Sequence, residues 1–175
     1  MPRSASGRTG RIAKNEYRVG RAAQKDLEPC LDILMDSILG EEYFSRELAE
    51  GILYEGISRK EVYIAKTAKG EIAGFFRLVL DGVFLVFAYI HLLAVKTDYR
   101  GRGVGTLLLE EAERLIREER EYPDIKKSFL LVGKINRRAK SFYERRGYRR
   151  VSTLDDLFSE GDTEFLMMKD LRDSR

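Results

Sequence analysis

The chain has 175 residues, 43% of them hydrophobic, with 32 Lys or Arg against 29 Asp or Glu and a formal net charge of +3. That length and apolar content suit one domain around one core, and no stretch approaches the ~18 consecutive apolar residues of a membrane span, so a soluble, cytoplasmic protein is expected. A single cysteine, Cys30, and a single histidine, His91, exclude an intrachain disulfide and a Cys/His metal cluster, and no metal is expected.

The charge is uneven from the start of the chain. Residues 1–21 carry six Arg/Lys and one Glu, leaving 26 basic and 28 acidic residues for the rest. Residues 1–15 read as a basic flexible tail without the apolar run of a signal peptide, and residues 16–175 as one domain. A solvated terminus is the expected role of the tail; an organelle transit peptide or a non-specific nucleic-acid arm has a similar composition. Charged residues reach 35% against a usual ~25%, a bias shared with ion-pair-rich thermophile proteins.

Tyr17–Arg21 alternates weakly as a first strand, and Leu27, Cys30, Leu31, Leu34, Met35 and Ile38 then repeat at helical spacing. Gly40 is expected to break that helix, and Tyr43–Ile57 carries Phe44, Leu48 and Ile52 in a second helical pattern. Glu61–Lys66, Ile72–Leu80 and Val83–Val95 read as three neighbouring antiparallel strands, with Asp81-Gly82 as a hairpin turn signal. After Gly105 the pattern is helical: Leu108, Ala112, Leu115 and Ile116 share one face, Glu110, Glu111, Glu113 and Arg114 are expected outside, and Pro123 is expected to stop the helix. Phe129–Val132 is a short apolar strand. Asn136 caps a helix running through Arg146, Gly147 ends it in a left-handed conformation, and Tyr148–Thr153 and Thr163–Lys169 close the chain as strands.

The segment His91–Thr106 runs strand, glycine-rich turn, helix. Glycines let the backbone approach an anion, and the unpaired N–H groups and positive dipole of the following helix stabilise it, so a diphosphate suits this turn. A Walker loop requires Gly-Lys-Ser/Thr, whereas Gly105 is followed by Thr106 and Leu107. A dinucleotide fold requires G-x-G-x-x-G after the first strand of a βαβ chain, whereas Gly101, Gly103 and Gly105 follow several antiparallel strands. Some thirty residues on, Asn136, Ala139 and Tyr143 fall on one helical face, two polar groups with a small residue between them.

Arg100-x-x-Gly103-x-Gly105, preceded by Leu93-Ala94-Val95 and Tyr99, resembles the acetyl-CoA loop of GNAT acetyltransferases. Asn136-x-x-Ala139-x-x-Phe142-Tyr143-x-x-x-Gly147-Tyr148 resembles the second segment of that family. Together they place the resemblance over about Tyr17 to Leu171. It implies an α+β fold: a central, mostly antiparallel twisted sheet of six or seven strands, flanked by about four helices and splayed in the middle to admit an acyl-CoA. It further implies acetyl-CoA as cosubstrate, held by Leu93, Ala94, Val95, Arg100, Gly101, Arg102, Gly103, Val104, Gly105, Thr106, Asn136, Arg138, Ala139 and Tyr143. Lys134, Arg137 and Arg138 begin the helix after the apolar strand, where their side chains either reach the nucleotide's extra phosphate or are solvated surface cations.

The reaction implied is direct attack of a primary amine on the thioester, with strand amides at Leu93–Val95 polarising the carbonyl. Tyr143 is the expected general acid for the leaving thiolate. A strand position often held by a glutamate in the family is Tyr89 here, so His91, two residues on, is the nearest group that titrates near neutrality; water or an acid from the acceptor loops is the competing base. In such a fold the acceptor enters between Asp36–Tyr54 and Leu154–Thr163. Both are acidic, with Asp36, Glu41, Glu42 and Glu47 in one and Asp155, Asp156, Glu160 and Asp162 in the other, so a cationic small amine, or a peptide or protein amino group, is the expected partner. The other reading is a non-catalytic acyl-CoA-sensing or nucleic-acid- or partner-binding module on the same fold. A homodimer is compatible with either.

Overall fold

The computed structural model describes residues 16–119 and 126–172; the expected basic tail, 1–15, and Pro123 lie outside the described residues. In chain order the elements are β1 (Tyr17–Arg21), α1 (Leu27–Met35), α2 (Ile38–Tyr43), α3 (Arg46–Ser58), β2 (Val62–Thr67), β3 (Ile72–Val83), β4 (Phe87–Val95), α4 (Val104–Glu118), β5 (Lys127–Gly133), α5 (Arg137–Glu144), β6 (Arg149–Asp155) and β7 (Thr163–Asp170). Seven strands form one sheet in the order β1-β2-β3-β4-β5-β7-β6. Every neighbouring pair is antiparallel except β4 with β5.

Four expectations are corrected. The region before β2 holds three helices rather than two, giving five α-helices among the described residues. Gly40 does not break a helix: α1 already ends at Met35, Ser37 caps α2, and Gly40 sits inside α2 where a Cβ would lie 2.3 Å from the Leu34 carbonyl oxygen. Ser45 then caps α3, accepting from the Leu48 N–H at 3.2 Å. Asp81-Gly82 is not the hairpin turn either. Pairing shifts register between Val79 and Val83, and the chain reverses at Phe84 and Leu85, both left-handed (φ 51° and 62°). Glu113, expected outside, is buried because Lys169 of β7 meets both its carboxylate oxygens at 2.8 Å and Arg117 adds a contact at 3.3 Å.

The core has two clusters, one on each face of the sheet. Leu31, Leu34, Leu53 and Ile57 from α1 and α3 pack with Ile64, Phe75, Leu92 and Ala94. On the opposite face Leu108, Leu109, Ala112 and Ile116 of α4 pack with Phe76, Leu78, Ile90, Leu130 and Tyr143. Ile90 and Leu92 are two apart yet belong to different faces, because a bulge at His91 interrupts the pairing: Arg77 faces Leu92 and Leu78 faces Ile90.

What positions the site is the junction of β4 and β5. They pair only at Ala88 with Ser128 and at Tyr89 with Phe129, although β4 continues to Val95 and β5 to Gly133. Beyond Tyr89 the two strands part, and the sheet opens a wedge lined by unpaired β4 backbone on one side.

Candidate functional site

The glycine-rich turn lies at the open end of β4. Gly101 and Gly103 adopt φ of 76° and 83°, a region that favours glycine, and Gly103 is the cap residue of α4, with no side chain bonded to the helix end. Leu107 N–H closes the first helical bond on the Gly103 carbonyl at 3.0 Å. The N–H groups of Val104, Gly105 and Thr106 therefore lack intrahelical acceptors, and the first turn contains no acidic side chain to occupy them. Gly105 is not left-handed; a Cβ there would only touch Phe142 and Val95 at 3.6 Å. The dipole and free donors make this turn fit for a phosphate.

Side chains of the turn divide their work. Arg100 is committed to the protein: its Nε donates to the Val95 carbonyl at 3.0 Å and its Nη2 to the Asp36 carbonyl at 2.8 Å, tying the end of β4 to the α1–α2 turn. Arg102 is exposed, its guanidinium 5.7 Å from the Tyr99 ring centre. Thr106 accepts from Arg146, just past α5, and that guanidinium lies 4.5 Å from the Phe142 ring centre, so the start of α4 is held against the C-terminal end of α5.

Across the wedge, Asn136 Oδ1 accepts from Ala139 N–H at 3.1 Å and caps α5, which leaves its side-chain amide hydrogens as the groups it offers a ligand. Ala139 is half-buried against the core, while Lys134, Arg137 and Arg138 are exposed around the helix start. Tyr143 is buried between Phe142 and Tyr148, with ring centroids 5.1 and 5.7 Å away. Burial, then the neighbouring Tyr89, raises its phenol well above the ordinary value, so it is a proton-bearing group at neutral pH.

On the opposite face, Tyr89 and His91 stack at 5.7 Å and 26° and floor the wedge. Burial and then Glu164 push the Tyr89 phenol to about 12. His91 is lowered to about 4, first by burial and then by the guanidinium of Arg77, with Glu55 opposing. Arg77 is itself buried, held by Glu61 at 2.8 Å and by the Ile52 carbonyl at 3.2 Å. His91 thus belongs to a neutral pocket beside a fixed cation.

The residue that sequence reasoning missed is Glu164, the second position of β7. It is 2% exposed, and its Oε1 accepts from the Tyr43 hydroxyl at 2.7 Å. Burial raises its carboxyl above the ordinary range, against the Tyr43 hydrogen bond and together with Asp162. Gly133, its register partner on β5, makes the room: a Cβ there would lie 2.2 Å from the Tyr43 oxygen and 3.3 Å from Glu164 Oε1. Only the pairing of a glycine on one strand with a buried acid on its neighbour marks this site, and one-dimensional spacing does not reveal which strands are neighbours. The Tyr43 ring also meets Phe158 edge-on at 5.7 Å, joining the two acceptor segments into a lip. Several of the expected acceptor acids are used within the protein: Asp36 accepts from Thr97, Asp155 from Thr163 and Asp156 from Gly161 N–H.

Among the described residues there is no group of three or more His, Cys, Asp or Glu side chains able to hold a metal ion, and no helix is long and apolar enough to cross a membrane. The family model described as "Acetyltransferase (GNAT) family" matches residues 28–148. Among solved structures the chain is similar to Ard1 from Thermoplasma volcanium, at 22% identity and a TM-score of 0.69, over 88% of this chain and 97% of that one. It is similar to a GNAT-family acetyltransferase from Bacillus cereus ATCC 10987, at 21% identity and 0.68, over 88% and 96%. It also resembles Arabidopsis thaliana Naa50 in complex with the bisubstrate analogue CoA-Ac-MVNAL, at 19% identity and 0.68, over 88% and 98%. No curated protein sequence matches it.

Proposed function

The chain belongs to the GNAT acetyltransferase family, and on that premise we propose that it transfers an acetyl group from acetyl-CoA to a primary amine in a ternary complex. The single observation that carries the reading is the wedge between β4 and β5, flanked by the open first turn of α4 and by the buried phenol of Tyr143. The pyrophosphate is assigned to the N–H groups of Gly101–Thr106, and the pantetheine arm to the wedge-facing β4 backbone at Leu93–Val95, of which the Val95 carbonyl is already taken by Arg100. Asn136 and Ala139 form the opposite wall, and Arg102, Lys134, Arg137 and Arg138 are the cations near the nucleotide end.

In the chemical step, unpaired β4 amides polarise the thioester carbonyl as charge develops on its oxygen. Tyr143, which holds its proton at neutral pH, protonates the departing thiolate. His91 and Tyr89 form the acceptor floor, and the Tyr43–Phe158 lip forms its rim. The complex of Naa50 with CoA-Ac-MVNAL supports an acceptor that presents an amino group. The exposed Glu41, Glu42, Glu160 and Asp162 around the lip favour a cationic acceptor by raising its local concentration.

Thermal unfolding with acetyl-CoA, ATP and NAD in parallel tests the donor site. A ligand at 100 times its dissociation constant adds ~2.7 kcal/mol, which for a chain of this size is roughly 5–10 °C. A shift with acetyl-CoA alone is expected, followed by CoA thiol release on adding an amine. A shift only with ATP or NAD overturns the reading. Cys30 is fully buried and burial raises its thiol to about 12, so the protein's own thiol contributes little background to that assay.

A further inference from the structure

We propose that Glu164 is the general base of this site, taking the proton of the acceptor ammonium from a position beside Gly133, directly across the wedge from the reacting carbonyl. The assignment rests on the acetyl-transfer reading above. Tyr89 and Phe129 are the last paired residues of β4 and β5, and four residues further up β5, with the His91 bulge taking up one extra residue of β4, Gly133 comes level with the Leu93–Ala94 stretch. Glu164 is bonded in register to Gly133, so its carboxylate stands level with the β4 segment assigned to the thioester.

Glu164 also stands on the correct face. Phe165 and Met167 of β7 join the α4 cluster, so Glu164 projects to the other face, where Tyr43 of α2 meets it. Tyr143 comes from the α4 face. Acid and base therefore flank the wedge from opposite sides, as direct transfer requires. The groups that face Glu164 are Tyr43 from α2, Tyr89 from β4 and Asp162 from the β6–β7 loop; none is a cation that would lock the carboxylate in its charged form. His91 by contrast faces Arg77, which opposes its protonation. On the solvent side of Tyr43 stands Phe158, 59% exposed and in edge-on contact with its ring.

The proton count closes. The acceptor R–NH3+ gives one proton to the Glu164 carboxylate, and the neutral amine attacks the thioester carbonyl. The C–N bond forms, the C–S bond breaks, and the thiolate takes the Tyr143 proton. The phenolate recovers a proton from the nitrogen of the new amide, and Glu164 releases its own to water.

The test uses the full chain with spermidine and with a short peptide bearing a free α-amino group as acceptors. Glu164→Gln keeps an acceptor for the Tyr43 hydrogen bond, so folding, checked by its melting temperature, is expected to survive. Its kcat should fall at least ~100-fold with little change in KM for acetyl-CoA, and the acidic limb of the pH profile should vanish. Tyr43→Phe removes a donor that favours the carboxylate, so its acidic limb should move to higher pH; this variant keeps the proposal testable if Glu164→Gln does not fold. A 13C NMR titration of the Glu164 carboxyl should place its midpoint above the ordinary glutamate range in the free protein. Wild-type activity with an unchanged profile in Glu164→Gln, or an ordinary midpoint, overturns this assignment alone. A chain that acetylates neither probe overturns the functional reading and this assignment with it.

Discussion

At the scale of single residues, the site is built from groups whose protonation is set by burial. His91 is the clearest case, because its folded value of about 4 lies below the ordinary 6.5. A group depressed on folding contributes its full stability above its unfolded value and loses it as pH falls through the folded one. The protein should therefore lose about 3 kcal/mol between pH 6.5 and pH 4 through this residue. Denaturant unfolding of His91→Gln across that range checks it: the variant's stability should fall less steeply with acid by that amount, and parallel curves would remove the assignment. Gly133 offers a second prediction at this scale. A methyl group there would meet the Tyr43 hydroxyl at 2.2 Å, so Gly133→Ala must displace Tyr43 from Glu164. Turnover of the variant should collapse while the acetyl-CoA-induced thermal shift, which depends on α4 and α5, is retained.

At the scale of elements, α4 is held by more than its apolar stripe. Its Glu113 is 5% exposed and bridges to Lys169 of β7, which ties α4 to the strand that carries Glu164. Removing one partner of a buried pair leaves the other uncompensated, at about 3 kcal/mol. Glu113→Ala should lose that much in urea unfolding, and Glu113→Ala with Lys169→Met should recover part of it; equal losses in both would refute a coupled pair. Much of the fold was legible because amphipathic periods and glycine positions are local properties, as in α4 and at Gly147, whose φ is 86°. Glu113 was misplaced because its cationic partner lies 56 residues away. The extra helix was missed because Ser37, its cap, lies inside the apolar repeat that continues to Ile38, and Ser45, the cap of α3, lies inside the pattern that begins at Tyr43. The glycine-rich turn was visible as a contiguous motif. Glu164 was not, since its role depends on β7 inserting between β5 and β6, a topological fact that no local pattern encodes.

At the scale of the whole molecule, the wedge divides the sheet into β1–β4 and β5–β7, and the described ties across it are few. They include two register pairs of β4 with β5, the packing of α4, the Arg146–Thr106 and Lys169–Glu113 contacts, the Tyr43–Glu164 bond, and the Tyr43–Phe158 and Phe87–Phe129 ring contacts. A ligand seated in the wedge touches both parts at once, through the α4 turn on one side and the start of α5 on the other. Stability is not uniform in such a molecule, and binding raises most the opening free energy of the segments that a ligand joins. Amide hydrogen exchange followed over minutes to hours should show acetyl-CoA slowing exchange in the first turn of α4 and in Ala139–Tyr143 together. The outer strands β1 and β2, on the far edge of the sheet, should change least. Protection confined to α4 would mean that only a phosphate binds and that the wedge stays open. Equal protection in β1 and β2 would mean that the ligand stabilises the molecule globally, and that the two parts do not open independently.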